Sequence, residues 1–214
     1  MGDSSTRIRA LTVDAVAAAA SFVARPSVAE RWDDASALDG MTVGALAAHT
    51  LRAAGATIAY LDRTEPDAQL DGEPLTAATY FHAAIEAPIH ESIRAVSAEE
   101  AAVGVEVVAA DFVALVDRLR DRLDAEPVDR MIEALGGRPI SLDHFCRTRL
   151  VEVLTHLDDL AASLGEDRPS TDPDATAVVI EVLVGVARHV RGDWEVVRAL
   201  GRSERVAEPV FPVL

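Results

Sequence analysis

One stretch limits what this chain can fold into: residues 144–160, His-Phe-Cys-Arg-Thr-Arg-Leu-Val-Glu-Val-Leu-Thr-His-Leu-Asp-Asp-Leu. Leu150, Val153, Leu157, Leu160 and Leu164 recur at alternating steps of three and four, which draws an apolar stripe along one side of a helix. Arg149, Glu152, His156 and Asp159 repeat at 3, 4 and 3, so a polar stripe runs about one residue's rotation away from the apolar one. The spacing therefore predicts a helix that carries charged groups at the edge of a core.

A carboxylate and an imidazole placed there are costly unless something compensates both, and a divalent cation does so. Glu152 and His156, four residues apart, point the same way and can share one ion. Two ligands from one helix do not close a site, so a third must come from another element. The best candidate is His49, in the apolar run from Met41 to Arg52. Spacing alone favours a solvated Glu–His pair on a helix surface, and a core histidine at position 49 bonded to a backbone group.

The segment Arg149-x-x-Glu152-x-x-x-His156-x-x-Asp159-Leu160, preceded by Thr42-Val-Gly-Ala-Leu46-Ala-Ala-His49, resembles the DinB-like metalloenzymes, in particular the branch named for mycothiol-dependent maleylpyruvate isomerase. The likeness covers most of residues 8 to 165. It implies an all-α fold, a DinB-like bundle of four long helices, to which the chain's own pattern adds further helices and an extended C-terminal tail. It also implies one divalent metal ion held by His49, Glu152 and His156, with mycothiol as co-substrate. Zinc is the expected metal, and nickel, iron or manganese would accept the same donors. The chain departs from the family pattern at Met41, where Trp is frequent, and at Ala45, where an acid is frequent. About fifty residues follow the metal helix, without a clear match to the separate C-terminal domain of the isomerase. The resemblance therefore points to a shorter relative, with thiol transfer to a small electrophile ahead of cis–trans isomerisation of a small unsaturated acid. A non-catalytic metal-binding or regulatory bundle is the alternative. Asp159 is expected to orient His156. Arg149 is expected to pair with a carboxylate or hold an anionic substrate, and Arg52 is a weaker candidate for the same work. The plain alternative for Arg149 and Asp159 is helix-surface ion pairing, worth less than about 1 kcal/mol.

Composition sets the outer limits. With 214 residues, 50% of them hydrophobic, the chain is long enough for one sizeable core, and a single domain is expected. A net charge of −16 argues against nucleic acid or an anionic membrane as partner. All 20 basic residues are Arg, which reflects a GC-rich coding sequence more than any chemistry. The lone cysteine, Cys146, excludes an internal disulfide and fits a reducing cytoplasm. Neither a signal peptide nor an apolar run of about 18 residues is evident, so a cytoplasmic monomer or homodimer is expected.

Along the chain, helices are expected at 8–24 (opened by Thr12 or Asp14), 42–63 (capped by Thr42), 76–97 (kinked or broken at Pro88), from Val105 to Leu123, and from a cap at Ser141 or Asp143 to Leu164. A last helix is expected over 175–200, followed by a docked extended tail over 206–214. Trp32 reads as a lid on the core or a residue at the site mouth, His144 as a group near the entrance, and Cys146 as a small buried apolar residue. Gly-rich phosphate loops, CxxC pairs and G-x-S-x-G elbows are missing from the sequence.

Overall fold

The computed structural model describes residues 2–85, 90–202, 204 and 209–213. The first helix, α1 (Gly2–Val23), starts six residues earlier than expected. The Thr12 hydroxyl bonds back to the Ile8 carbonyl within the helix instead of capping it. Ile8 and Leu11 already contribute to the core, so tertiary burial extends the helix beyond its local start signal. After Arg25 a short α2 (Pro26–Glu30) opens with proline in its first turn, where a missing N–H costs nothing.

Trp32 lies over the start of α3 (Val43–Arg63) and donates its indole N–H to the Ala101 carbonyl. A Cβ at Gly44 would stand 2.5 Å from that ring, so glycine is what allows the indole to seat. Trp32 is thus a lid on the core. Thr42 caps α3 by accepting from the Ala45 N–H, as its position suggested. The inserted segment forms two helices, α4 (Ala77–Ile85) and α5 (His90–Ala101); Pro88 and the expected kink lie outside the described residues. Gly104, at φ 92°, leads into α6 (Val105–Ala125).

Residues 131–141 were not expected to be extended. They form a hairpin of β1 (Met131–Glu133) and β2 (Pro139–Ser141), antiparallel with Ile132 opposite Ile140, turning at Leu135–Gly137. Both isoleucines are fully buried. Ser141 then caps α7 (Leu142–Leu164) through the His144 N–H, and Gly165, left-handed at φ 67°, ends it. The single helix expected over 175–200 is divided by Gly192, at φ 92°, into α8 (Pro173–Arg191) and α9 (Asp193–Gly201). This corrects the packing as well: Val179, Val182 and Val186 are buried, whereas Val190, Val197 and Leu200 face solvent. Tail residue Val210 docks with Ala187 and Val196, while Val206 and Leu214 lie outside the described residues.

The four long helices α1, α6, α3 and α7 form a ring in that order, each packed on its two neighbours, with α8 laid across α4 and α7. The architecture is an all-α, DinB-like bundle with the hairpin as an appendage. Phe22, Leu46, Phe112, Leu119, Phe145, Leu150 and Leu157 fill its centre. Among the described residues no helix is long and apolar enough to cross a membrane.

Candidate metal centre

Adjacent packing of α3 and α7 sets His49 beside Glu152 and His156. One ligand atom from each lies within 4.8 Å of the others, and this is the one such group among the described residues. The imidazole centroids of His49 and His156 are 4.8 Å apart at an interplanar angle of 70°. His156 Nε2 is 3.4 Å from Glu152 Oε2. Donors on a tetrahedral zinc, each about 2.0–2.2 Å from the ion, stand about 3.3–3.6 Å from one another. The donor set therefore fits one divalent ion with a small contraction.

The site is built at the edge of the core, the Glu152 side chain 23% exposed and that of His156 14%. Burial pushes His49 down to about 4, helped by the nearby His156. Burial also opposes a charged His156, but hydrogen bonds to Asp159 and Glu152 outweigh it and raise the imidazole to about 9. Burial would raise Glu152, yet its bond to His156 and the Arg149 charge hold it near 2. Without a cation, the site is thus an internal ion pair next to a neutral imidazole.

Asp159 Oδ2 lies 3.2 Å from His156 Nδ1, which leaves Nε2 turned towards Glu152. Arg149 is 3.9 Å from Glu152 Oε1 and is itself buried. Its donors go to Thr148 Oγ1 at 3.0 Å, the Ala53 carbonyl at 2.9 Å and the Tyr80 hydroxyl at 3.4 Å, and its guanidinium stacks 4.7 Å from the Phe145 ring. Arg149 is therefore anchored inside the protein by three of its five N–H donors. Arg52 Nη2 lies 3.1 Å from His49 Nδ1, with Ser97 and Glu100 of α5 on its other donors.

Sequence reasoning missed Tyr80, Ser97 and Glu100, because each meets its partner from a different helix and no spacing along one helix reveals that. Tyr80 is buried against Arg149, and burial pushes its phenol up to about 12. His144 lies apart from the ligand set and accepts the Ala77 N–H at 3.3 Å, at the start of α4. Cys146 is fully buried and its thiol is pushed up to about 12 by that burial, so it acts as a small apolar group and not as a nucleophile.

Residues 13–161 match the family described as the mycothiol maleylpyruvate isomerase N-terminal domain, over more than half of the chain. The chain belongs to this family. The match runs from α1 through nearly all of α7 and contains His49, Glu152, His156, Arg52, Arg149 and Asp159; α8, α9 and the tail lie beyond it. No curated protein and no solved structure matches the chain. Family membership supports a mycothiol-related function.

Proposed function

We propose that this protein is a metal-dependent enzyme that uses mycothiol as its nucleophile, for thiol transfer to a small electrophile or for cis–trans isomerisation of a small unsaturated acid. The observation that carries this reading is the convergence of His49, Glu152 and His156 from two helices within the span of the family match. A divalent ion in this set retains a net positive charge, has room for further ligands and, when bound, supplies Lewis acidity that favours a thiolate over a thiol.

The chain's own residues supply the rest. Asp159 takes the Nδ1–H of His156 and fixes the ring so that Nε2 faces Glu152. The bond to His156, and after it the charge of Arg149 anchored to the Ala53 carbonyl and Tyr80, keep Glu152 ionised. Held by Thr148, the Ala53 carbonyl and Tyr80 and lying 3.9 Å from Glu152, Arg149 is placed to pair with that carboxylate. Cys146 is inert, which fits a thiol brought in by a small molecule.

The test is turnover of a haloaromatic electrophile and of a maleate-type unsaturated acid, with and without mycothiol, on zinc-loaded and chelator-stripped protein. Consumption that needs both the thiol and the metal is expected. Tight metal binding with no thiol-dependent turnover of either probe would instead leave a non-catalytic metal-binding bundle.

A further inference from the structure

The outer nitrogens of the two histidines meet opposite chemistry. His156 Nδ1 faces a carboxylate, Asp159 Oδ2, at 3.2 Å. His49 Nδ1 faces a guanidinium, Arg52 Nη2, at 3.1 Å. Arginine donates hydrogen bonds and never accepts them, so this contact requires a lone pair on His49 Nδ1. A neutral imidazole has one lone-pair nitrogen and one N–H. While Arg52 is in place, the lone pair of His49 is therefore engaged and the proton sits on Nε2.

Neither route to a metal ion is compatible with that arrangement. Ligation through Nδ1 needs the lone pair that Arg52 occupies. Ligation through Nε2 moves the ring proton to Nδ1, where it would confront the N–H of the guanidinium. In both cases Arg52 must let go, and its positive charge beside the ligand opposes an incoming dication in the same sense. Arg52 is not loosely held. Its Nε donates to Glu100 Oε2 at 2.9 Å and its Nη2 to Ser97 Oγ at 2.7 Å. Ser97 is fully buried and spends its own proton on the Ile93 carbonyl at 2.7 Å.

We propose that Arg52, tethered by Ser97 and Glu100 of α5, is a gate on metal binding: it occupies His49 in the metal-free protein and must swing off the ring for an ion to enter. A groove of about 540 Å³ between α3 and α6, lined by Arg52, Glu100 and Asp111 among others, lets the guanidinium keep Glu100 and turn towards a second acid, Asp111, once it leaves His49. The inference rests on the metal reading and adds to it a residue of the site that works against loading.

The experiment is the affinity of the purified chain for Zn²⁺ alone, by competition with a chromophoric chelator, for the wild type and for Arg52→Met, Ser97→Ala and His49→Ala. Removing a charge-assisted hydrogen bond that competes with the metal should make Arg52→Met bind about tenfold tighter. Ser97→Ala should shift affinity the same way by less, and a zinc-loaded structure should show Arg52 out of hydrogen-bond reach of His49. An Arg52→Met affinity equal to or weaker than the wild type overturns the gate, because that is the behaviour of a residue that supports His49. So does a zinc-loaded structure with the Arg52–His49 contact intact, a readout that survives if Arg52→Met fails to fold. Wild-type affinity in His49→Ala would instead defeat the metal reading beneath it.

Discussion

At the scale of single residues, the two histidines carry opposite proton preferences, and the metal-free protein should report them. His49 is held near 4, below its ordinary 6.5, so between those values the unfolded chain binds a proton that the folded chain refuses, and stability rises with pH. His156 is raised from 6.5 to about 9, so its contribution is complete below 6.5 and is lost as pH climbs through 9. Together they place the site's best contribution to stability near pH 6.5, where the two windows meet. Thermal melts of metal-free wild type beside His156→Ala check this: the variant should lack the wild type's decline above pH 6.5, and identical profiles would contradict it. Asp159→Asn replaces the acceptor on His156 Nδ1, and a roughly 10- to 100-fold weaker metal affinity is expected with helical content unchanged. The meeting of His49, Glu152 and His156 was legible because Glu152 and His156 share a helix face and His49 sits in a matching motif. Arg149 was legible as a charge but not as a buried one, since its partners Ala53 and Tyr80 come from other helices.

At the scale of elements, local signals placed α3 and α7 almost to the residue, because Thr42, Ser141 and Gly165 act as caps that need no tertiary context. Where tertiary burial decides, the sequence was less informative. The start of α1 follows the packing of Ile8 and Leu11, and the hairpin at 131–141 depends on Ile132 and Ile140 being enclosed, a pattern too short to carry a period. The division of the last helix at Gly192 was written in the glycine and overridden by the valine periodicity that continues past it. Gly44 tests the seating of Trp32 on α3. Gly44→Ala adds a methyl 2.5 Å from the indole, and the resulting overpacking should exceed the helix-propensity gain, costing about 1–3 kcal/mol. A melting temperature lowered by several degrees is the expected result, with an unchanged or raised value contradicting the role given to Trp32.

At the scale of the whole molecule, one buried cation ties several of the bundle's elements together. Arg9 of α1 reaches Asp143 of α7 at 3.0 Å and the Leu123, Glu126 and Pro127 carbonyls at 3.1, 2.6 and 2.8 Å. Arg9→Met should therefore lower stability by about 3 kcal/mol, read by denaturant unfolding, because it leaves buried acceptors unpaired. The ring of α1, α6, α3 and α7 packs α3 against α7 so that one donor atom each of His49, Glu152 and His156 lies within 4.8 Å of the others, and the proposed function rests on that convergence. The most direct measurement of that claim is elemental stoichiometry of the purified protein after zinc loading and exhaustive dialysis, for wild type and for His49→Ala with helical content followed in parallel. About one divalent ion per wild-type chain and a large loss in the variant, at equal helicity, is the predicted result; a His49→Ala protein that keeps its full complement of metal would contradict the account.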